Sequence, residues 1–272
     1  MNKLRQAWDI CHKEGAFTLI GKSSDFIKNK SQRYCWNKWY RIKSLIFGNG
    51  IVKINGVSVD LNNEVFSQKM KNIIRKKGYE SAERNLINKH ICTDQPAIDL
   101  GAGVGYTACV IDRKTDDSEH IVAVEANKQL IPVIERSKSI NKADFDILHS
   151  AYDPKNESIE FRLSEDFWAY SQSNRRDQNQ TKVTVPAVSI SEIIDKNGLR
   201  TPIQLVVDIE GGEHNLFTNE SRLLQNDVSI IIFEYHSFAG EELEHYLNIL
   251  EESGFSFVES RGEVYVYENT NR

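Results

Sequence analysis

Residues 97–105 read AIDLGAGVG. A short apolar strand ends on an acid, Asp99, and Leu100, and is followed by glycines at 101, 103 and 105. Glycines at such a turn let the backbone come close to a ligand, and a helix opening behind them presents free N–H groups. The spacing predicts strand 97–100, a glycine loop and a helix near 105–113.

The same alternation continues outward. IVAVE (121–125) reads as a strand before a helix near 128–140, and FDILHS (145–150) as the next strand. ESIEFRL (157–163) and VTVPAV (183–188) read as a hairpin-like insertion around a polar loop at 171–182. Ser189 and Glu192 have the spacing of a capping box for SEIIDKN, with Gly198 just past its end. LVVDI (205–209), a helix near 213–225, SIIIFEY (229–235) and a helix from about 240 to 253 follow. FSFVES-RG-EVYVYE closes the alternation as an antiparallel pair. Alternating strands and helices with apolar strands predict an α/β fold with a largely parallel sheet covered on both faces.

Upstream the pattern changes. IVKI-NG-VSVDL (51–61) predicts a hairpin turning at Asn55-Gly56, and residues 63–90 predict one or two helices broken at Gly78. SQRYCWNKWYRIKSLIF (31–47) has helical spacing, with Cys35, Trp39, Ile42 and Ile46 on one line. The expected division is an extension over 1–62 and a catalytic domain over 63–272.

Composition is that of an ordinary globular chain, 40% hydrophobic and 27% charged over 272 residues. No apolar run reaches the ~20 residues of a membrane helix, and the first fifteen residues lack a leader's apolar core, so the expected compartment is cytoplasmic. Cys11, Cys35, Cys92 and Cys109 are scattered and predict reduced structural thiols rather than a zinc site. The net charge of −5 conceals an asymmetry: residues 1–60 carry 11 Lys and Arg against four acids, leaving −12 for the remainder. Trp36, Trp39, Tyr40, Lys38, Arg41 and Lys43 could bind anionic lipid, a lipid-linked glycan or nucleic acid, or pack on the sheet domain with their charges solvated.

Ligands of parallel sheets bind outside the carboxyl ends of the strands. That directs attention to Asp99–Gly105, Glu125, His149–Asp153, Asp208–Gly212 and Glu234–His236. Glu125 ends the second strand, twenty residues after Gly105, where an acid accepts ribose hydroxyls. Tyr106 replaces the last glycine of a dinucleotide fingerprint, which disfavours an NAD-dependent oxidoreductase, and no Gly-Lys-Ser/Thr of a P-loop follows. Asp99 before the loop suits the positively charged amino acid end of S-adenosyl-L-methionine better than a pyrophosphate. Gly101, Gly103, Gly105, Asp99 and Glu125 are therefore the expected cofactor residues.

AIDLGAGVGYTACV, IVAVEAN, LVVDIEGGEHNLF and IIIFEYH, in that order, resemble the FkbM family of S-adenosylmethionine-dependent methyltransferases over roughly residues 79–268. The D-x-E-G-x-E run at 208–213 is the most specific part. The resemblance implies a Rossmann-like class I fold whose seven-stranded, mostly parallel sheet has an antiparallel last strand. It implies O-methyl transfer, commonly to sugars, glycans or natural-product hydroxyls. It adds Glu80, Ala126, Ala151 and Asp208 to the cofactor set, with His149, Ser150 and Asp153 near the adenine. The family often has Lys where this chain has Val206, and residues 1–60 lie outside the resemblance.

A hydroxyl acceptor needs a base about 3 Å from its proton. Asp208 and Glu210, two apart on an extended segment, would point to one side. Asp208 is the expected base, with Glu210 beside it and His236 the competing base; the two acids could instead be a structural network capping loop N–H groups, and His236 a plain surface or hydrogen-bonding residue. Glu213 lies in the first turn of the next helix, where negative charge is favoured. Asp208, Glu234 and His236 are suitable metal ligands, though no spacing requires a metal. The Asn/Asp-Pro-Pro-aromatic segment of many base methyltransferases is absent, leaving nucleic acid the less favoured partner. A non-catalytic cofactor-binding module is the remaining alternative.

Overall fold

Asn55 and Gly56, with φ of +46° and +98°, make the tight turn that the Asn-Gly pair predicts. It joins β1 (Ile51–Ile54) to β2 (Val57–Asp60) in a two-stranded sheet. The computed structural model describes residues 50–76, 78–116, 119–163, 181–236 and 242–271. The basic aromatic segment 31–47, Cys11, Cys35 and most of the polar loop lie outside these. The chain divides into two compact units, 1–52 with 60–62 and 53–59 with 63–272.

Residues 63–90 resolve into two helices, α1 (Gln68–Arg75) and α2 (Ser81–His90), with Gly78 between them. Ser67 caps α1 by accepting the Met70 N–H. Then come β3 (Ala97–Leu100), α3 (Tyr106–Asp112), β4 (Ile121–Glu125), α4 (Ile131–Asn141) and β5 (Asp146–His149). α4 opens later than the spacing predicts, because the Asn127 side chain accepts the Gln129 N–H and folds 127–130 into a turn ahead of Pro132.

The insertion is a second sheet. β6 (Ala151–Tyr152), β7 (Ser158–Leu163) and β8 (Thr181–Val188) lie in the order β6-β8-β7, with β7 and β8 antiparallel. Thr181 and Lys182, expected in the loop, pair with β7, and β6 was not expected from the sequence. The capping box at Ser189/Glu192 opens α5 (Ile190–Asn197), which Gly198 closes at φ +62°.

β9 (Ile203–Val207) is followed by α6 (Glu213–Asn219), α7 (Ser221–Asp227), β10 (Val228–Glu234), α8 (Leu243–Glu252), β11 (Phe255–Arg261) and β12 (Val264–Asn269). The single helix expected over 213–225 is two, broken at Glu220. The seven strands of the main sheet run β11-β12-β10-β9-β3-β4-β5. All neighbours from β10 to β5 are parallel, and β12 is antiparallel to both its neighbours. This is the Rossmann-like, mostly parallel sheet with an antiparallel last strand. Every residue of β3, β4 and β9 is buried, as strands covered on both faces require. From β3 the chain winds outward to β5, then returns to β9 on the other side of β3, so the strand order reverses between them. A binding crevice forms at such a point.

Candidate active site

The glycine loop and the acidic tip meet at that reversal. The Asp208 N–H donates to the Leu100 carbonyl at 2.8 Å, continuing the β3–β9 ladder one step past β9. Gly101 follows with φ +90°, and a Cβ there would fall on the Asp208 carbonyl oxygen. The close approach that requires Gly101 is thus to the chain's own backbone. Gly105 is similar in kind: a Cβ would stand 3.0 Å from Ile134 Cγ2, so it sets the packing of α3 on α4.

β9 ends at Val207, two residues before the expected end, because the chain turns sharply. Glu210 has φ +51° and Gly211 +102°. The Glu213 carboxylate, only 1% exposed, holds this turn by accepting the Ile209 and Gly211 N–H groups at 3.3 and 2.9 Å. Asp208 and Glu210 therefore do not share a side by strand alternation; a left-handed turn brings them together. Glu213 Oε1 is also 3.0 Å from His236 Nδ1. That contact aims the other ring nitrogen at the tip, with Nε2 3.5 Å from Asp208 Oδ1 and 3.7 Å from Glu210 Oε2.

A cleft opens beside the tip. Its wall includes Gly101–Gly103, Glu125 and Ala126, Ser150–Tyr152, Asp208–Glu210, and Tyr79 with Glu80 from the start of α2. Met70, Ile73 and Leu130 give it an apolar flank. Asp99, Gly105, His149, Asp153 and His236 are not part of this wall. Asp99 lies beneath the loop, 2% exposed, and its Oδ2 makes no hydrogen bond. His149 Nε2 is 3.2 Å from the Ala126 carbonyl, and Asp153 accepts the Lys155 and Asn156 N–H groups of its own turn.

Glu125 accepts the Gly103 N–H at 2.8 Å and the Asn127 N–H at 2.7 Å. A carboxylate has about four lone-pair sites, so it keeps capacity for further donors. Burial raises its pKa to about 7 against those backbone donors. Burial likewise raises Asp99 to about 7, with the Glu125 charge adding to the shift.

The acids at the other end of the cleft form a larger cluster. Glu80, with φ +44°, stands at the N-cap position of α2 without a side-chain capping bond, and Glu83 lies one turn on. Their carboxylates and that of Glu234 lie within 4.8 Å of one another. Burial, then the charges of Glu234, Glu80, Glu210 and Glu213, raise Asp208 well above the usual range. Burial, then Glu83 and Glu234, does the same to Glu80. Glu210 and Glu234 are each raised by burial to about 7, with His236 pulling the other way. Burial lowers the His236 pKa, but the Glu213 hydrogen bond and the surrounding acids outweigh it, and the net shift is upward. Among the described residues, no Lys or Arg pairs with Glu80, Glu83, Asp208, Glu210, Glu213 or Glu234; the His236 imidazole lies within 4 Å of Asp208, Glu210 and Glu213.

Sequence reasoning missed Glu83 as a site residue and the grip of Glu213 on His236. Glu83 carried a signal, since i, i+3 spacing from Glu80 puts both on one helical face. The Glu213–His236 contact spans 23 residues and has no local signature.

The profile described as the Methyltransferase FkbM domain matches residues 99–257. Among solved structures, precorrin-6y C5,15-methyltransferase from Geobacter metallireducens aligns at 14% identity and TM-score 0.42, over 68% of this chain and 84% of that one. An rRNA methylase from Streptococcus thermophilus aligns at 8% and 0.43, over 68% and 93%. M. jannaschii TYW2 in complex with AdoMet aligns at 12% and 0.38, over 80% and 82%. No curated protein sequence matches significantly.

Proposed function

Because the chain belongs to the FkbM methyltransferase family, we propose that it uses S-adenosyl-L-methionine to methylate a hydroxyl, or a carboxyl, of a sugar, glycan or related metabolite. In this reading residues 63–272 are the methyltransferase domain and 1–62 an extension. One observation carries the cofactor: the carboxyls of Glu80, Asp208 and Glu210 line one end of the cleft, with Glu83 and Glu234 close by, and no Lys or Arg pairs with them among the described residues. Such a cluster must hold protons or accept a cation, because buried unpaired charge is costly. A ligand with an ammonium and a sulfonium suits it, and a pyrophosphate does not.

At the opposite end Glu125 supplies acceptors for ribose hydroxyls, beside Ala126, Ser150 and Ala151. Bound S-adenosyl-L-methionine supplies a methyl carbon on a good leaving group, so positioning does most of the catalytic work. Asp208 reaches the cleft and is the proton acceptor. With the cofactor bound, the methyl group would pass to the acceptor oxygen, leaving the carbon–sulfur electron pair on sulfur, and Asp208 would take the proton that this oxygen loses. Burial and the neighbouring acids raise the Asp208 pKa, so it must lose its own proton, favoured by a cationic ligand in the cleft, before it can take the acceptor's. Glu210 flanks it, and His236, oriented by Glu213, stands behind it.

Calorimetry with S-adenosylhomocysteine and with NAD tests the cofactor: binding of the former alone is expected, and its failure to bind overturns the reading. Asp208→Asn should keep that binding while methyl transfer falls by ~10²-fold or more; wild-type turnover would reject Asp208 as the base. Radiolabelled methyl groups in fractionated cell extract should enter the glycan or small-metabolite fraction, and label confined to nucleic acid would reject the acceptor class.

A further inference from the structure

We infer that Asp208, Glu210 and His236 form a binding site for one divalent cation of the Mn2+ or Zn2+ kind at the acceptor end of the cleft. The inference rests on reading that end as the acceptor side of a methyltransferase site. Asp208, Glu210 and His236 each offer one ligand atom within 4.8 Å of the others, and His236 Nε2 lies 3.5 Å from Asp208 Oδ1 and 3.7 Å from Glu210 Oε2. Atoms each ~2.1 Å from one ion at tetrahedral or octahedral angles are roughly 3.0–3.5 Å apart. The two imidazole–carboxylate distances already lie in that range or just above it, and closing of the cluster around an ion completes a coordination sphere.

Two further features point to an ion rather than to acids sharing protons. Asp208 Oδ1 is sealed from solvent and makes no hydrogen bond, although it faces the imidazole. An anionic oxygen left that way is costly and a cation satisfies it directly. The imidazole is also prepared for a metal. Its side chain is 10% exposed, and the Glu213 carboxylate, itself fixed by two backbone N–H groups, holds Nδ1. A metal-ligating histidine is typically oriented through its other nitrogen in this way, by a carboxylate.

The ligand types select the ion. One imidazole with two carboxylates suits Mn2+ or Zn2+ better than Mg2+ or Ca2+, which prefer oxygen alone. The ligand set differs from that suggested by sequence order, with Glu210 in place of Glu234. Glu234 groups instead with Glu80 and Glu83. Asp208 engages the ion through Oδ1, leaving its other oxygen to face the acceptor. A cation there lowers the pKa of a coordinated hydroxyl, which assists its deprotonation.

The test is metal binding by the full-length, EDTA-treated chain, with Mn2+ followed by electron paramagnetic resonance and Zn2+ by equilibrium dialysis. One ion per chain is expected. His236→Gln and Glu210→Gln should each weaken binding at least ~tenfold, and Glu213→Gln by ~10- to 100-fold through loss of imidazole orientation. Glu83→Gln should leave it unchanged. Circular dichroism and thermal unfolding of the same samples report whether each variant is folded. Absence of stoichiometric binding in the wild type, unchanged affinity in both ligand variants, or loss confined to Glu83→Gln overturns the site. Wild-type chain that binds S-adenosylhomocysteine and no metal rejects the metal site while leaving the methyltransferase reading intact; failure to bind S-adenosylhomocysteine rejects that reading whatever the metal result.

Discussion

Gly101 and Asp99 sit two residues apart and carry opposite kinds of constraint. Gly101 is fixed by space, since its Cβ position is already taken by the Asp208 carbonyl and its φ of +90° strains any other residue. Gly101→Ala must push the acidic tip away from the loop, and should cost about 3 kcal/mol or more in chemical denaturation, combining overpacking with backbone strain. A loss under about 1 kcal/mol would show that the two loops separate easily. Asp99 is fixed by charge. Its pKa rises from 3.8 to about 7 in the fold, so between those values the folded chain keeps a proton that the unfolded chain releases. Its contribution to stability is complete below the unfolded pKa and is lost as pH rises through about 7. Asp99→Asn removes the titration, so the variant should gain on the wild type by about 4 kcal/mol between about pH 4 and pH 8. A stability difference that does not change with pH would reject the shift.

At the scale of elements, α5 shows what local sequence specifies and where it stops. Ser189 and Glu192 announce the helix start, and the reciprocal capping bonds form as their spacing requires. A second cap has no such announcement. Glu220, 7% exposed, accepts the Ile190 N–H at 3.1 Å and the Tyr152 hydroxyl at 3.4 Å. It thereby joins α5 and β6 to the junction where α6 gives way to α7. The run TNESRLL contains no Gly or Pro, so its helical pattern looks continuous, and only the tertiary demand on Glu220 marks the break. Ser189→Ala should cost about 1 kcal/mol in denaturant unfolding, the usual loss of an N-cap. Glu220→Ala should cost about 2 kcal/mol, since it leaves two buried donors unsatisfied. If Glu220→Ala proved neutral and Ser189→Ala did not, the local cap alone would hold the helix.

For the molecule as a whole, strand–helix alternation from Ala97 onward suffices to specify a parallel sheet, because each apolar strand needs cover on both faces. It also places the ligand end at the strand tips. Strand order is less legible: the terminal hairpin pattern does not say which of its strands meets β10, and only the finished sheet, in the order β11-β12-β10, answers it. The acidic cluster is less legible still. Glu80 and Glu83 reach Glu234 across more than 150 residues, a meeting that depends on the finished sheet. The same dependence makes the final strand critical. β12 lies between β10 and β11, pairing with both, and Val264, Val266 and Tyr267 are buried. The Asn269 side chain donates to the carbonyls of Gln225 and Val228 at 2.9 and 2.8 Å, tying the strand to the end of α7. Removing residues 262–272 would therefore take a strand from inside the sheet, leave β10 as an open apolar edge, and orphan β11. An edge of that kind invites association with other chains. The truncated chain should lose the near-ultraviolet circular dichroism of fixed aromatic packing and sediment as aggregates. Retention of a cooperative, monomeric unfolding transition would mean that β12 is an accessory to the sheet. Asn269→Ala separates packing from pairing: the ladder stays, α7 loses its side-chain donor, and the expected cost is only about 1–3 kcal/mol, read from the denaturation midpoint at unchanged m-value.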